Sequence, residues 1–350
     1  MRKFIIQFII FLLPLLCIPI ANYVIDPSHI YDDYGQQVVS TLQGHRYVIN
    51  VDPDKDERLL MKAMIDSCKK DIDVLILGSS RVMQISEDMF DNKRVLNLGV
   101  SGATYEDITG LLYLYLQGHK TPKAIIIGID PQHFNANIGD TRWKSIDREY
   151  ARYSEDVLGE KVSCGINLEK WENLFSVTYF QEAIKYYKRP KRYLQAIDYD
   201  IQGTDIEYGI AIRYDGSSVY GREYETRSLT KTNHEAQTEI YSQWENYKEL
   251  STRELNRWQN LIQYARQQCV ELYFFEAAFH PIVYHRLTMD AQFEGMKKGM
   301  EYVEKMAEEN GITQIGSYNP DDCHLCDSDF YDGMHMRRRA IERELKRGVR

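Results

Sequence analysis

The sequence is short of positive charge: 43 Lys and Arg stand against 52 Asp and Glu, a formal net charge of -9. A protein that grips phosphates needs a basic face, so nucleic acid is excluded as the main partner. Tryptophan is scarce at 4, whereas tyrosine reaches 26. Such a balance suits a wet, aromatic-lined cleft or interface, and equally an ordinary half-buried surface. No internal repeat or low-complexity tract is present, which excludes a repeat array. Six cysteines occur, one of them, Cys17, within an apolar N-terminal run. The odd remainder leaves at least one free thiol unless chains cross-link. Cys323-His324-Leu325-Cys326 has no second pair to complete a zinc site, which needs four ligands or three plus water. A local disulfide or two reduced thiols is the favoured state in an exported chain.

What is present first is a long apolar segment. Met1-Arg2-Lys3 precedes Phe4 to Ile25, apolar almost throughout, and Asp26, Asp32 and Asp33 follow. At about 1.5 Å per residue the run is just long enough to cross a bilayer. The charge order keeps the amino terminus cytoplasmic and exports the rest. An uncleaved single-pass anchor over residues 1–25 is therefore expected. The alternative is a signal peptide cleaved after Ala21, giving a secreted chain.

Residues 26–70 form a stalk or lead-in segment, with a helical pattern from about Asp56 to Lys69. Strands and helices then alternate. Val74–Leu77, Arg94–Val100 and Lys123–Asp130 read as buried strands, and Tyr105–Gln117 as a helix. Continuous apolar strands separated by helical patterns predict a parallel sheet covered on both faces. The alternation breaks at residues 132–250, a polar, Tyr-rich insertion far longer than ordinary loops. It resumes with a helix at Thr252–Gln268, a strand at Val270–Ala277 and a helix at Ala291–Glu309 closed by Gly311. A last strand at Ile312–Gly316 and a basic terminal helix complete it. The expected fold is three-layer α/β/α with a mainly parallel five-stranded sheet. Residues 71–350 form the α/β domain, and the insertion serves as a cap or substrate-binding element.

Ligands of open parallel sheets sit at the carboxyl ends of the strands. The first strand runs into Gly78-Ser79-Ser80-Arg81, which places Ser80 on a tight strand-to-helix turn. A serine becomes a nucleophile only beside a base, usually a histidine oriented by a carboxylate. Asp332 and His335, three residues apart before the last helix, supply both. The bland alternative makes Ser80 a helix cap.

The blocks Gly78-Ser79-Ser80, Asn97 to Thr104 and Asp332-x-x-His335 resemble those of the SGNH (GDSL-like) hydrolase superfamily, in the same order and in α/β context. The resemblance implies a flavodoxin-like fold with Ser80 as nucleophile, His335 as base and Asp332 as its carboxylate. It also implies an oxyanion hole from Ser80 and Gly102, and no metal or organic cofactor. Two positions depart. Ser79 replaces the usual aspartate, and Gly128-Ile129-Asp130-Pro131 stands where Gly-x-Asn-Asp is expected, so Asp130 occupies the place of an oxyanion-donating asparagine. An ionised carboxylate cannot donate, and losing one donor costs about a hundredfold or more in rate. Asp130 is then protonated, turned away or bound to a substrate hydroxyl. Arg81 faces solvent or a substrate carboxylate. Asn97 shapes a turn or contacts substrate.

The anchor and the "GSSR" block resemble the branch that acts on cell-envelope polymers. That implies a serine esterase or O-acyltransferase acting on an acylated polysaccharide or other acyl ester, beside a membrane-bound acyl-carrier partner. The alternative is an inactive SGNH-fold glycan-binding or assembly factor, favoured by Asp130. His280 is read as structural. Trp143 and Tyr150 stack on sugar or hold the insertion to the core. Arg337, Arg338 and Arg339 touch anionic lipid or polymer, or form a solvated face.

Overall fold

The computed structural model describes residues 3, 16–42, 47–49, 55–164, 168–188, 195–197, 206 and 209–348. Residues 4–15 of the expected anchor lie outside these. Among the described residues, no helix is long and apolar enough to cross a membrane.

Five parallel strands form the central sheet: β1 (Val74–Leu77), β2 (Val95–Asn97), β3 (Ala124–Gly128), β4 (Glu271–Glu276) and β5 (Thr313–Gly316), in the order β2-β1-β3-β4-β5. Register is in step, with Val74 opposite both Val95 and Ala124, and Gly128 opposite Phe275. Side chains alternate across the sheet. Leu75, Leu77, Ile125, Ile127 and Phe274 enter one apolar core, whereas Val74, Ile76, Ile126 and Phe275 enter another. That alternation explains why the strands read as unbroken apolar runs: both faces are covered.

On the first face lie helices α1 (Glu57–Ser67), α2 (Tyr105–Gly118), α3 (Thr252–Gln267) and α4 (Glu294–Asn310). On the second lies α5 (Arg338–Gly348), through Ala340, Ile341 and Leu345. Local chemistry fixes the ends. Thr104 and Asp107 make a reciprocal capping box at the start of α2, and Gly311 ends α4 with φ of 59°. The lead-in segment is part of this core, because Leu60, Met61, Met64 and Ile65 of α1 are buried in it.

The insertion builds a second sheet. Its strands Gln195–Ile197, Ile210–Arg213 and Ser218–Tyr220 join Tyr47–Ile49 of the lead-in in a four-stranded antiparallel sheet. The tip of its hairpin reaches the main sheet, where Asn97 N–H donates to the Asp215 carbonyl at 2.8 Å and Ser218 N–H to that of Met83 at 2.7 Å. Several tyrosines of the insertion are core. Tyr150 and Tyr153 are buried, and Tyr153 shares a hydroxyl contact of 2.8 Å with Tyr105. Trp143 packs edge-on against Tyr150, so this pair holds the insertion to the core.

Candidate active site

In a 2-1-3-4-5 sheet the strand order reverses between β1 and β3, and the crevice at that switch point opens at their carboxyl ends. Ser80 follows β1 and Asp130 follows β3. The turn after β1 requires Gly78: its φ is +142°, and a Cβ there would lie 2.9 Å from the Gly128 carbonyl oxygen. A side chain would push β1 from β3, so the glycine lets the serine turn sit directly over the switch point.

Three residues separated widely in sequence meet there. Ser80 Oγ lies 2.7 Å from His335 Nε2, and His335 Nδ1 lies 2.8 Å from Asp332 Oδ2. Asp332 Oδ1 accepts the N–H groups of Met334 at 2.7 Å and His335 at 2.8 Å, which fixes the carboxylate within its own loop. Burial opposes ionisation of Asp332, yet the neighbouring His335 and those two amides hold its carboxyl well below the usual carboxylate range. Burial likewise opposes a charged His335, but the Asp332 charge and hydrogen bond outweigh it and raise the imidazole pKa. Both side chains remain partly open, His335 by 23% and Asp332 by 16%.

Beside the serine, Val100 N–H donates to the Gly78 carbonyl at 3.0 Å and ties the loop after β2 to the serine turn. Gly102 in this loop has φ of +56°. Among the described residues, the N–H groups of Ser80 and Gly102 have no hydrogen-bond partner. Unpaired N–H groups in the turns after neighbouring strands are the kind of donor that can hold a developing oxyanion.

Elements that the sequence reading left out stiffen this loop. Arg58 of α1 grips Asp107 through Nε at 3.0 Å and Nη2 at 2.9 Å, and also donates to the Ser101 carbonyl at 3.0 Å. Arg58 and Asp107 are 3% and 0% exposed. Glu57 accepts the Ser101 N–H at 2.6 Å. The only signal in the sequence was the run Asp56-Glu57-Arg58 opening a helical pattern; nothing in it points to a loop more than forty residues away.

Asp130 pairs with Arg81. Arg81 Nη1 donates to Asp130 Oδ1 at 2.9 Å, with the side chains 2% and 4% exposed. Arg81 also donates to the Ala277 and Ala278 carbonyls and lies over the Phe279 ring, 4.1 Å from its centroid. Asp130 Oδ2 and Arg81 Nε are buried without a partner. Arg81 therefore faces neither solvent nor an open cleft, and its cation offsets the charge that Asp130 would aim at an oxyanion. Asn97 takes no substrate-facing role. It is fully buried, its amide nitrogen donates to the carbonyls of Val82 and Ile85 at 2.8 Å each, and its oxygen accepts Gly99 N–H at 2.8 Å.

The insertion fastens the Asp332 loop. Thr232 Oγ1 donates to the Tyr331 carbonyl at 3.1 Å, and Tyr331 hydroxyl donates to Glu225 at 2.7 Å. His280 Nδ1 accepts Ile282 N–H at 3.2 Å, and its backbone N–H donates to the Gly333 carbonyl at 3.2 Å, a structural role as expected. Of the basic run, Arg337 donates to the Glu225 carbonyl at 3.0 Å, Arg338 pairs with Asp88 and Arg339 donates to the Ser328 carbonyl at 2.9 Å. Cys323 and Cys326 are free thiols, with burial pushing Cys323 up to about 12. Among the described residues, no group of three or more His, Cys, Asp or Glu is placed to hold a metal ion. A scan of the sequence against protein-family models finds no match, and a search of curated proteins finds none either.

Proposed function

We propose that the chain is a serine acyl-esterase or O-acyltransferase of the SGNH type, with the flavodoxin-like fold of that superfamily. It acts outside the cytoplasm on an acylated cell-envelope polysaccharide, held to the membrane by its N-terminal apolar run and working beside a membrane-bound acyl carrier. The observation that carries the chemistry is the continuous chain Ser80 Oγ to His335 Nε2 to Asp332, at 2.7 and 2.8 Å.

Ser80 Oγ attacks the acyl carbonyl while His335 Nε2 takes its proton. Asp332 keeps the Nδ1–H tautomer and stabilises the imidazolium. The oxyanion rests on the Ser80 and Gly102 N–H groups. When the ester bond breaks, His335 returns the proton to the leaving alcohol and the acyl group remains on Ser80. A water or a sugar hydroxyl, deprotonated by His335, then attacks that acyl-enzyme and releases Ser80. The Arg81–Asp130 pair supports this reading because it leaves no uncompensated carboxylate beside the oxyanion.

The test is incubation of the full chain with p-nitrophenyl acetate, followed by mass analysis of the peptide holding Ser80. An acetyl group on Ser80, absent from Ser80→Ala, is the expected result. Release of nitrophenol at the same rate by both proteins would sink the proposal. Asp130 favours a second reading, a non-catalytic glycan-binding factor; acyl-polysaccharide binding without any acetyl-enzyme would select it.

A further inference from the structure

Soluble surfaces scatter their exposed apolar side chains, whereas this one gathers them. Of the twelve exposed large apolar side chains among the described residues, all but Leu229, Ile240 and Met289 lie on three helices. On residues 16–25 the exposed Leu16, Ile20 and Val24 recur at helical spacing along one side. On Leu168–Phe175, Trp171 and Phe175 are 58% and 64% exposed and stand one turn apart. On Val177–Tyr187, Val177 and Tyr187 are 56% and 71% exposed.

The three helices are locked together by polar contacts that are buried or half-buried. Asn22, fully buried, places its amide nitrogen 3.0 Å from the carbonyls of Asn173, Leu174 and Ser176, the turn that joins the second and third helices. Asp26 accepts the Tyr179 hydroxyl at 2.8 Å. The apolar faces are thus held at the end of the N-terminal apolar run. Basic charge follows at once: Lys185, Lys188, Arg189, Lys191 and Arg192 come within eight residues that hold no acidic residue. In a chain of net charge -9 that cluster is against the trend. Lys185 is paired with Glu182 at 2.7 Å.

We infer that Leu168–Phe175 and Val177–Tyr187 form a second membrane contact, lying in the headgroup region of an anionic bilayer beside the N-terminal run. Trp and Tyr favour that depth because their rings are apolar and their polar atoms stay wet. Basic residues next to an apolar helix face add attraction to anionic lipid. The inference rests on the membrane-attached reading above and extends it. The insertion, not only the N-terminal run, would meet the lipid.

The experiment uses the full chain reconstituted in vesicles of equal parts phosphatidylglycerol and phosphatidylethanolamine, with brominated lipid as a quencher of tryptophan fluorescence. Trp244 and Trp258 are buried and Trp143 is half-buried against Tyr150, so Trp171 is the tryptophan that lipid can reach. Shallow bromines should quench the wild type more than deep ones. Trp171→Phe should float with the vesicles and lose most of that quenching. Equal quenching of both floating proteins would overturn the inference and leave the anchor reading standing. Failure of the wild type to float would overturn both. Loss of an oligomer in Trp171→Phe, without any bromine effect, would put a second copy on this face and also overturn it. Quenching as strong in phosphatidylcholine vesicles would contradict the anionic-bilayer assignment and overturn the inference as stated.

Discussion

The parallel sheet and the insertion obey different physics. In the sheet the three strands β1, β2 and β3 are buried along their whole length, so every residue from Val74 to Leu77 is apolar, and Ser80 hangs on the end of a strand that cannot move independently of its neighbours. In the insertion, short elements such as Ser218–Tyr220 and Leu229–Thr238 are fixed by individual hydrogen bonds and buried tyrosines. The sheet therefore sets where Ser80 sits. The insertion sets how firmly the Asp332 loop is held and what covers it. The contrast teaches that a site can be carried by one layer and clamped by another.

Substitutions can break this division, and the largest effects should come from the Ser80–His335–Asp332 chain itself. Ser80→Ala or Asp332→Asn should lower acyl-ester turnover by about 10⁴-fold or more, with unchanged circular dichroism. A tenfold loss or less would place the chemistry elsewhere. Next in size is the buried pair. Arg81→Met leaves Asp130 as an unpaired buried carboxylate and should cost about 3–5 kcal/mol in denaturant unfolding. Asp130→Leu added to it should recover part of that loss; additive losses would mean the two side chains act separately.

A third prediction concerns pH. His335 has a pKa raised above its ordinary value of about 6.5 and works as a base only when neutral, so turnover should rise with pH through that elevated value. In Asp332→Asn the midpoint should move down. The stability sign follows from the same shifts. His335 stabilises the fold fully below its unfolded pKa, and this is lost as pH rises through the folded value. Asp332, depressed, stabilises above its unfolded pKa, and this is lost as pH falls through the folded value. Their pairing is thus strongest between the two unfolded values, roughly pH 4 to 6.5. The smallest effect belongs to the clamp. Thr232→Val removes one buried hydrogen bond to the Tyr331 carbonyl and should cost about 1 kcal/mol in stability while leaving turnover within a few-fold.

Much of the sheet was legible because its signals are local. Val74–Leu77 and Thr252–Gln267 show their periodicity within one window, and the observed bounds fall within a residue or so of those expected. Helix α4 starts at Glu294, after a separate short turn at Ala291–Phe293, because Asp290 caps that turn instead. The meeting of Ser80, His335 and Asp332 was legible because Asp332 and His335 are neighbours and Ser80 follows an apolar strand. What could not be read was whatever depends on distant contact. Arg58 reaching Asp107, Arg81 turning inward onto Asp130, and Asn97 bracing Val82 and Ile85 each depend on where the chain returns. The antiparallel sheet was equally hidden, because it pairs Tyr47–Ile49 with strands from the far insertion.

The central claim is that Ser80 is activated by His335. Labelling of the full chain with a fluorophosphonate, followed by peptide mass analysis, tests it most directly, because the reagent reacts with nucleophilic serines and needs no knowledge of the natural substrate. The account predicts a single label on Ser80 that disappears in His335→Ala. Folded wild-type protein that takes no label, or a label that survives the loss of His335, would contradict it.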